Sequence, residues 1–185
     1  MTTTNTQYDE IIKSCKDIFI KKAKDYGTAW RVLRTISIVD QIFIKAQRIR
    51  TIQQKGQQKV ADDLAAEFRG ILNYAVIGLI QLELPADAPE ELLLEKVSAL
   101  YDQYVQSAKK LMEDKNHDYG EAWRSMSQES FVDLVLMKLQ RIRQILSNEG
   151  KTLVSEGIDA NYDDIINYSV FALILMAENN GRSQS

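Results

Sequence analysis

Apolar residues recur at steps of three and four along most of the chain, and nowhere alternate with polar ones as a half-buried strand requires. The spacing predicts six long helices, at about 7 to 24, 36 to 54, 64 to 83, 90 to 116, 128 to 148 and 160 to 178. Gly27 and Gly120 stand where the first and fourth helices must stop, the usual place for a left-handed residue. Pro85-Ala86-Asp87-Ala88-Pro89 interrupts the pattern and holds both prolines, with Asp87 placed to cap the next helix. Gly70 and Gly78 fall inside the third helix and read as points of close helix approach. The predicted fold class is all-α.

The pattern repeats. A shift of 93 positions lays Asp25-Tyr26-Gly27 over Asp118-Tyr119-Gly120, and 15 of 28 positions from Asp25 to Ile52 are identical. Among them are Trp30 with Trp123, Arg31 with Arg124, Asp40 with Asp133, Lys45 with Lys138, and Gln47 to Arg50 with Gln140 to Arg143. Tyr8-Asp9 lies over Tyr101-Asp102. After a one-residue slip, Ile71, Asn73 and Tyr74 lie over Ile165, Asn167 and Tyr168. The chain therefore reads as two copies of a three-helix unit, 7 to 84 and 100 to 178, joined by residues 85 to 99. Two similar units that each expose an apolar face pack most economically about a pseudo-twofold axis, as a homodimer does.

With 45% hydrophobic and 26% charged residues, the composition belongs to a globular protein and excludes disordered and collagen-like classes. Cys15 is the one cysteine, so no internal disulfide forms, and Met1 to Glu10 lacks a basic segment followed by an apolar one. These features point to a reducing, cytoplasmic address. The longest apolar stretch, Tyr168 to Ala177, is far short of about 20 residues, so no membrane partner is expected. One Cys and one His, His117, cannot supply a zinc cluster. Net charge is only -3, but from Lys13 to Lys59 there are 12 Lys and Arg against Asp17, Asp25 and Asp40. That stretch carries +9 and the rest of the chain -12. Two readings follow: an ordinary solvated basic face, or a surface facing a phosphate-bearing partner.

Charges also stand where the period predicts core. The helix from Phe131 to Leu139 is apolar on nearly every side, so Asp133 and Lys138 are expected to be partly buried. Asp133, Met137, Gln140 and Arg141 form one stripe, repeated as Asp40, Ile44, Gln47 and Arg48. It reads either as a structural ion-pair network or as a polar cleft that a ligand completes. Asp163 or Asp164 shares a helix face with Asn167; with Asp133 and Glu129 these form a candidate magnesium site. The first copy has Arg69 and Gly70 in place of the two acids, which makes the second copy the expected better site. Asp118-Tyr119-Gly120 with Trp123 and Arg124, and likewise Tyr26, Trp30 and Arg31, set aromatics and a cation just past a helix end. They suit either base stacking by Tyr119 or Trp123 with Arg124 and Lys138 toward phosphate, and Lys45 and Arg48 as binding residues of the first copy, or simple helix-junction packing. Cys15, opposite Ala108 in the repeat, reads as packing.

These residues resemble the helical nucleotide-modification-associated domain family of bacteria and phages, in tandem duplicate. The likeness rests on Asp25 to Trp30, and more fully on Lys115 to Trp123. It rests also on the Asp-x(4)-Lys-x-x-Arg-Ile helix and on the Asn-Tyr helix, and it covers nearly the whole chain. It implies a role in modified-nucleotide metabolism. A looser likeness to the all-α MazG and dimeric dUTPase pyrophosphohydrolases implies magnesium-dependent hydrolysis of a nucleoside triphosphate. Asp133 would then assist catalysis while Lys138 and Arg141 stabilise developing charge. The chain departs from that pattern, offering Glu129-x(3)-Asp133 and Asp164-x-x-Asn167 in place of the usual acidic pairs. The alternative is a non-catalytic module whose basic first copy docks nucleic acid or an acidic protein. A homo-oligomer of the fused pair stays open beside both.

Overall fold

A computed structural model describes residues 3–55 and 61–183, with the side chains of 61–63 outside the description. Among the described residues there are six α-helices and no strand: α1 (Thr4–Tyr26), α2 (Thr35–Lys55), α3 (Ala61–Glu83), α4 (Leu94–Tyr119), α5 (Gln128–Ser147) and α6 (Ile158–Ser183). A single 3-10 turn follows α1 at Ala29–Val32 and another follows α4 at Ala122–Ser125. None of the helices is long and apolar enough to cross a membrane.

The most apolar helices, α3 and α6, pack on one another at the centre; α2 rests on α3, α5 on α6, and α2 and α5 meet. The remaining helices, α1 and α4, touch each other and reach both central helices. Ile71, Leu72, Ala75, Val76 and Ile80 from α3, and Ile165, Ile166, Val170 and Ala172 from α6, are fully buried. Such burial of an aliphatic side chain is worth about 1.5–3 kcal/mol, so the central pair holds much of the fold's stability. Gly78 makes the pair close: a Cβ there would overlap the ring of Tyr162.

Contacts between the two halves come in reciprocal pairs. Lys109 reaches Asp9 and Lys16 reaches Asp102, each at 2.8 Å. Arg50 meets Asp133 at 2.8 Å, and Arg143 meets Asp40 at 3.1 Å. Residue i of one half touching residue j of the other, and the converse, is the signature of a twofold interface. Tandem duplication here reproduces within one chain what a homodimer builds from two.

Both helix stops carry positive φ, 62° at Gly27 and 60° at Gly120, but only Gly120 is in the left-handed helical conformation, Gly27 having ψ of -142°. Only Gly27 is also pressed from outside, by the carboxylate of Glu91. The fourth helix begins at Leu94 and not near 90, and Asp87 does not cap it. Thr28 is the cause: its hydroxyl donates to the Glu90 carbonyl at 2.6 Å and accepts from the Leu92 amide at 3.0 Å. Arg31 adds bonds to the carbonyls of Ala88 and Pro89, each at 3.2 Å, so the linker is tied to the first turn in a non-helical path.

Candidate functional site

In the second repeat the conspicuous group is a buried carboxylate between two lysines. Asp164 on α6 meets Lys138 of α5 through one oxygen and Lys115 of α4 through the other, both at 2.7 Å. The side chains of Lys138 and Asp164 are only 8% and 5% exposed, so each needs the other: an isolated charge at that depth is strongly disfavoured. Burial works against the charge of Lys115, and the bond and field of Asp164 outweigh it, so its pKa is raised. Among the described residues neighbouring Asp163 has no such partner. Burial, then the charges of Asp159 and Asp164, push its carboxyl up to about 7 against the pull of Lys115.

The five residues nominated for magnesium do not form a site for it. Both Asp164 oxygens are committed to lysines. Asn167 donates its amide to the Ala108 carbonyl at 3.0 Å and accepts from the Tyr8 hydroxyl at 2.8 Å. Asp133 and Glu129 face outward on α5, and no group of three or more His, Cys, Asp or Glu suited to a metal occurs among the described residues. Asp133 in particular corrects an expectation. Its side chain is 53% exposed and paired with Arg50, because Asp133, Met137, Gln140 and Arg141 make the exposed stripe of α5, and of the polar pair only Lys138 turns inward. The first-copy stripe is likewise outward at Asp40 and Arg48, the latter held by Glu67 at 2.6 Å.

The aromatic segment of the second repeat is also committed to structure. Trp123 is buried and stacked on Phe171, centroids 4.2 Å apart. Arg124 lies over the Trp123 ring, 4.4 Å from its centroid, and bonds Glu178, Gln7, Thr4 and Glu121, which corrects the reading of Trp123 and Arg124 as base and phosphate contacts. Tyr119 and Asp118 lie on the surface, Asp118 beside His117. Arg31, the counterpart of Arg124, is spent on Gln81 and the linker carbonyls.

The same framework in the first repeat is open. A cavity of about 500 Å³ lies between the end of α1, the turn after it, α2 and α3. Lys22, Lys45 and Arg69 line it together with Phe19, Tyr26, Trp30 and Tyr74, and among the described residues its lining contains no Asp or Glu. Lys45 lies 5.9 Å from the Tyr74 ring centroid, and its nearest carboxylate is Glu67 at 3.8 Å, which Arg48 holds more closely. Among the described residues Lys22 and Arg69 have no ion pair, and the buried Nε of Arg69 has no hydrogen-bond partner. Three substitutions account for the opening. Arg69 and Gly70 stand where α6 has Asp163 and Asp164, and Ile77 stands where Phe171 fills against Trp123. Trp30 is left with a tilted contact to Phe19 at 6.4 Å.

Of the nominated residues, the fold thus brings Tyr26, Trp30 and Lys45 to one cavity. Lys22 and Arg69 belong with them and were not nominated. Lys22 was legible, since it precedes Asp25 as Lys115 precedes Asp118. In the sequence Arg69 reads only as the loss of an acid, since one residue of a helix does not show which cavity it meets.

Fold and site together define a duplicated all-helical protein whose halves share one side-chain framework and differ in the charge held inside it. A family model described as nucleotide modification associated domain 1 matches residues 22–82 and again 115–176. The chain belongs to that family and carries its domain twice. No curated protein and no solved structure matches the chain.

Proposed function

We propose that the protein binds a nucleotide or nucleotide derivative, and that the site is the first-repeat cavity. The observation that carries this reading is three cations and four aromatics around about 500 Å³, with no carboxylate among the described lining residues. Cations that meet phosphate oxygens make charge-assisted hydrogen bonds, and an aromatic face such as that of Trp30 accepts a base. The volume is that of a small-molecule site, which favours a mononucleotide over a polymer. The family description points the same way, toward nucleotide modification. A cytoplasmic setting, where such ligands are found, fits the unpaired Cys15.

The test is calorimetric titration with deoxynucleoside mono-, di- and triphosphates, with and without magnesium, on the wild type and on Arg69→Ala and Trp30→Ala. The reading expects one site per chain and a loss of about tenfold or more in each variant, as befits a charged hydrogen bond or a stacked base. Absence of binding by every nucleotide, or binding indifferent to both substitutions, rejects it. Preference for a single-stranded oligonucleotide, steeply dependent on salt, would transfer the site to nucleic acid. Pyrophosphate release in the magnesium samples would add turnover to binding.

A further inference from the structure

We infer that the second repeat is the same anion site closed by its own carboxylate: Asp164 occupies the place that a ligand's phosphate takes in the first repeat, between Lys22 and Lys45. This rests on the first-repeat cavity being the nucleotide site, and it names which part of the ligand goes where.

The argument follows the repeat. Lys115 and Lys138 each donate to one oxygen of Asp164 at 2.7 Å, a forked grip on an anion with two oxygens. Their counterparts, Lys22 and Lys45, both line the first-repeat cavity. The counterpart of Asp164 is Gly70, so the lysine pair is retained and the anion is removed. Gly70 stands directly against Lys45: a Cβ built there would lie 3.0 Å from Cδ and Cε of Lys45 and 3.2 Å from its Nζ, so the end of that flexible side chain would have to shift by a few tenths of an ångström. Such a Cβ meets the stem and ammonium of Lys45, the counterpart of the Lys138 that pairs with Asp164 in the second repeat. Arg69 adds a third cation where α6 has Asp163, and its buried Nε–H lacks a partner. The first repeat therefore holds a cationic cradle short of one anion, and the second shows how such an anion is gripped. A phosphate group offers the same pair of oxygens as a carboxylate, with more charge, and Lys and Arg are the side chains that bind it.

The experiment uses pyrophosphate and a binding nucleotide as probes. Gly70→Asp is expected to lower affinity for both by about tenfold or more, because the introduced carboxylate takes Lys45 and Lys22 as Asp164 takes Lys138 and Lys115. Gly70→Ala adds the same Cβ without charge and is expected to keep binding within about threefold, Lys45 being flexible at its end. The converse variant, Asp164→Gly, is expected to bind a second pyrophosphate, and addition of pyrophosphate to raise its melting temperature more than that of the wild type. Should Asp164→Gly not fold, the Gly70 pair alone decides. Wild-type binding of nucleotide that Gly70→Asp leaves untouched overturns this inference and leaves the cavity reading standing; equal loss in Gly70→Ala and Gly70→Asp overturns it in favour of simple occlusion. No binding of nucleotide by the wild type overturns the cavity reading itself.

Discussion

The hydroxyl of Tyr8, near the start of α1, donates to Oδ1 of Asn167, in the middle of α6, at 2.8 Å in a fully buried setting. Its mate across the pseudo-twofold is Tyr101 to Asn73, also 2.8 Å. Each Asn then donates its amide within its own half, Asn167 to Ala108 and Asn73 to Cys15. The Asn-Tyr helix feature that invited a ligand role is thus a crossed clasp between the halves. Tyr8→Phe leaves the Asn167 oxygen buried without a donor, at a cost of about 1–3 kcal/mol. Tyr101→Phe is expected to cost a similar amount, and urea unfolding of the two variants reads both. A cost confined to one variant would break the claimed symmetry.

Asp164 and Asp133 are both carboxylates of the second repeat, and the structure separates their fates. Asp164→Ala strands the buried ammonium of Lys138 and is expected to cost about 3–5 kcal/mol. Asp133→Ala breaks an exposed pair with Arg50 and should cost no more than about 1 kcal/mol. Equal losses in chemical denaturation would contradict the inward and outward placement of the two groups.

Helix α3 meets α6 so closely at Gly78 that an added methyl must displace the fully buried ring of Tyr162. Gly78→Ala is expected to destabilise by about 1–3 kcal/mol despite the better helix propensity of alanine. Combined with Tyr162→Leu, which clears the overlap, the total should fall short of the sum of the two single costs. Additivity within error would show that the two positions do not press on one another.

Asp163 makes stability depend on pH. Its carboxyl is pushed from 3.8 up to about 7, first by burial and then by Asp159 and Asp164. Between those values the folded protein holds a proton that the unfolded chain has released, so stability declines as pH rises through that window and has lost this contribution above it. Asp163→Asn keeps the neutral form at every pH. Because the site is partly solvated, the gain above pH 7 is on the order of 1 kcal/mol, about 2–4 °C in melting temperature. At pH 4 the variant and wild type should melt together; a gain that persists there would assign the effect to something other than ionisation.

Cys15 is buried against the centre of the molecule, and burial pushes its thiol up to about 12. Alkylation at neutral pH should therefore follow global unfolding, with the native protein unlabelled over hours. Rapid labelling of the folded chain would mean that α1 opens locally.

Much of the architecture was legible along the chain. The step of three and four showed six helices, and the 93-residue shift paired them, because amphipathic periodicity and identity are properties of neighbouring positions. The glycine stops were legible for the same reason: a helix end is a local event. The start of α4 was not, since Thr28 and Arg31 hold the linker from some sixty positions away.

The repeat also determined which residues correspond, and so exposed the contrast of Arg69 and Gly70 with Asp163 and Asp164. What it did not determine is direction. Asp133 and Lys138 sit five positions apart on one apolar helix, and only packing against α6 turns the lysine inward while Arg50 draws the aspartate out. Counting acids therefore favoured the second repeat, whereas the fold spends its buried acid on two lysines and leaves the first repeat's cations lining open space. Composition records how many charges a chain carries; whether one is satisfied depends on partners brought from other helices, and that is decided by tertiary structure alone.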